Sequence, residues 1–105
     1  MEVNVAAQMS EFRVYAPVGR LDSQTAAGHE EAILALINPA TKGLVLDMAG
    51  VSHLSTAGIR VLLMVSRACQ DAGIGLMLHS LTPATLEVIR ITGLDEHLNI
   101  RLDAS

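Results

Sequence analysis

The stretch from residue 44 to residue 63 reads LVLDMAGVSHLSTAGIRVLL, and it decides the fold. Its opening, LVLDM, is a short and nearly continuous apolar run, the pattern of a strand covered on both faces. AGVSHLS, residues 49–55, reads as a loop. TAGIRVLLMVSRACQDAG, residues 56–73, reads as a helix of about five turns at 3.6 residues per turn, closed by Gly73 as a C-terminal cap. On that helix Leu62, Val65 and Cys69 share one face. Thr56, Arg60, Met64, Arg67 and Asp71 share the other.

The same alternation continues on either side. IGLMLHS, residues 74–80, is the next strand. Thr82 followed by Pro83 is a helix start, a capping side chain and then a proline at the first helical position. PATLEVIRIT is that helix, ended by Gly93, and LNIRL after it reads as a last edge strand. Upstream, NPATKG breaks the chain before Leu44. SQTAAGHEEAILALI, residues 23–37, puts Ala26, Ile33, Leu34 and Ile37 on one helical face, with Asp22 or Ser23 as its cap and Gly28 weakening it. FRVYAPV, residues 12–18, alternates Phe12, Val14, Ala16 and Val18 against Arg13, Tyr15 and Pro17, so one face is covered, and the apolar set is the one expected inward. Pro17 cannot donate to a ladder, which predicts a free edge near its end. VNVAA, residues 3–7, is placed to pair with it as a hairpin through a turn at Met9 to Glu11.

Strands alternating with helices imply parallel pairing in the centre of the sheet and right-handed crossovers. The expectation is one α/β domain over residues 1–105, a mixed four- to five-stranded sheet with helices mostly on one face. Its predicted core is Leu46, Leu62, Val65, Cys69, Leu76, Leu78, Leu86 and Ile89.

Composition bounds the function. The chain has 105 residues, half of them apolar but only 2% aromatic, so one aliphatic core is expected. A formal net charge of -4 leaves no electrostatic footprint for nucleic acid or an anionic bilayer. No stretch suits a membrane span or direct insertion. MEVNVAAQMS lacks the basic start and apolar block of a signal peptide. With the single Cys69, a cytoplasmic location is expected.

Sheets of this kind carry functional loops at the carboxyl ends of their strands. AGVSHLSTAG is such a loop. With Ser55 as the cap, its hydroxyl accepts from the amide of Ala57 or Gly58, and Thr56 becomes the first helical residue. Thr56 then stands at the positive end of the helix dipole, where a phosphate is tolerated. Gly58 lets backbone or a partner approach closely. Met64 is a flexible apolar side chain on a polar face, a choice favoured on partner-binding surfaces. The pair Ser55–Thr56 is thus readable as a plain cap or as a cap beside a modifiable residue. A nucleophile is disfavoured, because LSTAG is not the G-x-S-x-G elbow and no base lies at a characteristic spacing.

Other chemistry finds little support. His29, His53, His79 and His97 are scattered, with no metal-binding spacing. Asp47 ends a buried strand, but no phosphate-binding loop accompanies it, so it is expected to bind loop amides. Gly73-Ile74-Gly75 is a cap and a strand start. Cys69 is expected to be buried and inert. No catalytic residue, cofactor or metal is predicted.

In order along the chain, these pieces resemble the STAS domains, and among them the bacterial anti-sigma factor antagonists. VGRLDSQTA resembles the family's Gly-x-Leu-Asp-x-x-Thr stretch. LVLDMAGVSHLSTAGIRVLL resembles its signature, a strand ending in Asp, a loop, Asp-Ser-Ser-Gly-Leu and an apolar helix. AGIGLMLHSLTPATLEVIRITGLDEHLNI resembles its third strand, third helix and following Gly-Leu. The resemblance implies that Thr56 stands where the family's phosphorylated serine stands, with Ala57 and Gly58 after it. Ser55 replaces the family's Asp and is the alternative acceptor. Asp22 is the aspartate of the first stretch. Together with the helical arc Thr56, Arg60, Met64 and Arg67, which its period marks as a docking stripe, the expected partner surface is Asp22, Ser55, Thr56, Gly58, Arg60, Met64 and Arg67. The implied partners are an anti-sigma factor that is also a serine/threonine kinase, bound by the unphosphorylated antagonist so that a sigma factor is released, and a serine phosphatase that resets the switch. RLDAS stops where many relatives add a helix, leaving the last sheet face partly open or covered by a second subunit in a homodimer. Thr56-Ala57-Gly58 also resembles the STAS subunits of membrane phospholipid ABC transporters, the alternative function.

Overall fold

The computed structural model describes residues 12–93 and 100–103. The elements are β1 (Phe12–Tyr15), β2 (Gly19–Leu21), α1 (Ala26–Leu34), β3 (Gly43–Asp47), β4 (Val51–Leu54), α2 (Thr56–Ala72), β5 (Gly75–His79), α3 (Pro83–Thr92) and β6 (Ile100–Asp103). Four strands form one sheet in the order β1-β3-β5-β6, and β2 pairs with β4 in a second, two-stranded ladder. The chain is α/β as expected, and every described ladder is parallel. VNVAA, which the sequence pairs with FRVYAPV, lies outside the described residues.

β3 sits between β1 and β5, and Leu44 and Leu46 are fully buried. Residues in register share a face, so Leu44 with Leu76 and Leu46 with Leu78 make two apolar rows. Val61, Leu62, Val65 and Cys69 of α2 and Ile89 of α3 belong to the same core cluster. Burying one such Leu, Ile or Val side chain is worth about 1.5–3 kcal/mol. Seven of the eight predicted core residues are buried. Leu86 is partly buried and packed against the core.

The caps read from sequence are in place. Thr82 Oγ1 accepts from the Thr85 amide at 3.2 Å, with Pro83 next. Gly73 and Gly93 close α2 and α3 in the left-handed conformation. Asp47 accepts the Ala49 amide at 3.1 Å, as expected of a loop-binding aspartate.

Three local expectations are corrected. AGVSHLS is not all loop: Val51–Leu54 is a strand, paired in parallel with β2. Val51 and Leu54 are buried while Ser52 and His53 are exposed, so period two is absent, and the register shifts between Gly19 and Arg20. In β1 the covered face is that of Arg13 and Tyr15, because Tyr15 shares a row with Leu46. The Tyr15 hydroxyl hydrogen-bonds His29 Nδ1 at 2.7 Å, which lets an amphipathic ring take an inward place. Phe12 and Val14 are left 50% and 65% exposed. Finally, α1 starts at Ala26, later than expected, and neither Asp22 nor Ser23 is its cap. The cap position is Thr25, without a side-chain cap bond. Asp22 instead organises the preceding turn, its Oδ1 accepting from the Gln24 amide at 3.0 Å.

Candidate functional site

β2 and β4 end side by side, with Leu21 opposite Leu54. Each delivers a functional segment: Asp22 follows Leu21, and Ser55 follows Leu54. The two are tied at one atom. The Ser55 amide donates to the Leu21 carbonyl at 3.0 Å, and the Ser55 hydroxyl donates to the same oxygen at 3.3 Å. Ser55 has extended backbone, and its Oγ also accepts from the Gly58 amide at 3.5 Å. The cap expected from the sequence is present, and its hydroxyl is used twice.

Thr56 opens α2 and is exposed. Unlike Ser55, its hydroxyl has no hydrogen-bond partner among the described residues. Arg60, Met64 and Arg67 follow on the same exposed face, with Met64 41% accessible. Neither arginine has an ion pair among the described residues. The structure thus brings Thr56, Arg60, Met64 and Arg67 together as one stripe.

At Gly58 the close approach expected is present, and it is made by the chain's own backbone. It is buried, and a Cβ there would lie 2.5 Å from the Leu21 carbonyl oxygen and 2.7 Å from Leu54 Cδ1. Its small size serves the close approach of α2 to the chain's own β2, so it is a positioning residue and not partner surface. Asp22 is at the edge of the site, with a side chain 17% exposed, paired to Arg20 Nε at 3.0 Å. The Arg20 guanidinium, and then the Gln24 amide, hold its carboxyl below the usual carboxylate range.

An open groove of about 310 Å³ runs beside the stripe, between α1 and α2. Ala26, Ala27 and Ala57 supply its small residues, Val61 and Met64 its apolar ones, and Glu30 and Arg60 its charges. Sequence reading found only Arg60 and Met64 of these, since the groove forms from helices that meet only on folding. The available signal was the small residues of TAAG at the start of α1.

Cys69 is buried, and burial pushes its thiol up to about 11. Among the described residues no three His, Cys, Asp or Glu side chains gather as a metal site, and no helix is long and apolar enough to cross a membrane. His97 lies outside the described residues.

Parallel ladders alternating with helices, and an exposed threonine that opens a helix at the end of a short second ladder, make a small α/β domain. The STAS domain model matches residues 4–105, and the chain belongs to the STAS domain family. It is 31% identical over 75 residues to BtrV of Bordetella bronchiseptica, provisionally named an anti-sigma factor antagonist. That match takes in 71% of this chain and 65% of BtrV, less than two thirds of the relative. A solved anti-sigma factor antagonist from Mycobacterium paratuberculosis is 29% identical, with a TM-score of 0.68 over 84% of this chain and 74% of that one. A sulfate transporter family protein from Wolinella succinogenes shares the fold at 20% identity, with a TM-score of 0.76 over 89% of this chain and 77% of that one.

Proposed function

We propose that the chain is an anti-sigma factor antagonist whose binding is gated by phosphorylation of Thr56. The unmodified form binds an anti-sigma factor that is also a serine/threonine kinase, through the stripe Thr56, Arg60, Met64, Arg67 and the edge at Asp22, and a sigma factor is released. The kinase passes the γ-phosphoryl group of ATP to Thr56 Oγ1, ADP leaves, and the hydroxyl proton goes to a base of the kinase. A serine phosphatase restores the hydroxyl by hydrolysis. The chain supplies no catalysis of its own and works in the cytoplasm.

The observation that carries this reading is the division of labour between adjacent hydroxyls. Ser55 is half-buried and engaged with Leu21 and Gly58, whereas Thr56 is exposed and unengaged. The charge argument supports it. A phosphate adds about -1.5 to -2 charges at neutral pH. It is well placed at a helix start, but burying it unpaired against a docked partner costs several kcal/mol. One modification therefore reverses binding without refolding the domain.

The test is incubation with the kinase captured from the native host, with ATP, followed by mass spectrometry of the loop peptide. Phosphate on Thr56 supports the reading, and phosphate on Ser55 or on neither overturns the gate. The sequence Thr56-Ala57-Gly58 favours a second reading, an STAS subunit of a membrane phospholipid ABC transporter. Recovery of transporter subunits in that capture, with no kinase, selects it.

A further inference from the structure

We propose that a phosphate on Thr56 draws the Arg60 guanidinium into an ion pair along α2, removing the one cation that lines the α1–α2 groove among the described residues. The inference deepens the reading of Thr56 as phosphoacceptor and rests on it. Thr56 and Arg60 are four residues apart on one exposed helix face, a spacing that places Cβ atoms about 5–6 Å apart. Helical side chains lean back over the turn that precedes them, which carries the Arg60 side chain toward Thr56. The order, anion first and cation four residues later, is the favourable one with respect to the helix dipole.

Arg60 is available for this. It has no ion pair among the described residues, and the only acid on α2, Asp71, lies at the far end of the helix. The one competing acid at the groove is Glu30 of α1, which also lacks an ion pair among the described residues. A phosphate brings up to twice the charge of that carboxylate and three acceptor oxygens, on the helix that carries Arg60.

The consequence is a change at the groove as well as at the acceptor. Unmodified, the groove is lined by one cation and one anion, Arg60 and Glu30. With Arg60 turned onto the phosphate, an approaching partner meets Glu30 and a partly neutralised phosphate, and no free cation lines the groove among the described residues. The off state is then set by a lost attraction together with the new repulsion.

The test needs neither kinase nor partner. The chain is made with phosphothreonine installed at position 56, and its 31P resonance is followed against pH. The second phosphate pKa, ordinarily about 6, should lie about 0.3 unit lower in the parent than in Arg60→Gln. Arg60→Lys should keep part of the difference, and about 1 M salt should close it. Arg67→Gln should leave the parent value unchanged, with circular dichroism verifying that each variant is folded. Equal pKa values in parent and Arg60→Gln overturn the proposal, as does an Arg67→Gln shift as large as that of Arg60→Gln, which marks a diffuse field. A Thr56 that no kinase modifies sinks the functional reading and leaves this titration standing.

Discussion

Ser55 and Leu21 are joined twice at one oxygen, through the Ser55 amide at 3.0 Å and its hydroxyl at 3.3 Å. The contact spans 34 positions in sequence. It fixes where α2 begins, and with it which of two neighbouring hydroxyls faces the solvent.

Replacing each hydroxyl in turn separates their roles. Ser55→Ala removes the cap and should cost about 0.5–2 kcal/mol. Thr56→Ala loses no hydrogen bond of the described structure and should stay within about 0.5 kcal/mol of the parent. Urea unfolding reads both. Equal losses at the two positions would mean that the hydroxyls share the capping role.

Gly58→Ala should destabilise despite alanine's better helix propensity, worth about 1 kcal/mol. The added methyl meets the Leu21 carbonyl at 2.5 Å, and overpacking of this kind costs about 1–3 kcal/mol. The unfolding midpoint should fall, with faster exchange of the Ser55 amide as its bond to Leu21 loosens. A raised midpoint contradicts the tight approach.

Met64→Asp should abolish capture of the partner while the melting temperature stays almost unchanged. A 41% exposed side chain on the outer face of α2 has solvent to receive the new charge. A collapsed melting temperature would place Met64 in the core.

Acid should weaken the β2–α1 turn through Asp22. Its folded pKa is lowered by Arg20 and by the Gln24 amide. The stabilisation is therefore present above the unfolded value, about 3.9, and is lost as pH falls through the folded one. The difference in melting temperature between the parent and Asp22→Asn should be constant near neutrality and shrink below about pH 4. A difference that persists unchanged to pH 2 rules out the carboxylate as its source.

What the sequence revealed follows from where the signals are local. Gly73, Thr82 and Gly93 act within a few residues of themselves, as Ser55 does in accepting the Gly58 amide, so the ends of α2 and α3 were legible. The stripe from Thr56 to Arg67 was legible because one helical period generates it. β4 was not, because Val51 and Leu54 are buried around two exposed residues and no period announces a strand. The inward face of β1 was misread because Tyr15 goes in on the strength of a bond to His29, on another element. Gly58 was visible as a place of close approach, but not that Leu21 is what approaches it. The groove's lining comes from α1 and α2, and no window along the chain contains both.

The β2–β4 ladder has one more consequence. Thr56, the proposed acceptor, opens a helix whose cap residue is hydrogen-bonded to the end of β2, so a phosphate there would have no hinge to move. The two states of the switch would share one shape and differ as labels do. They would leave a sizing column together and part on an isoelectric-focusing gel. A reader of such a signal would have to sense electrostatic potential, because the backbone of the domain would stay where it is.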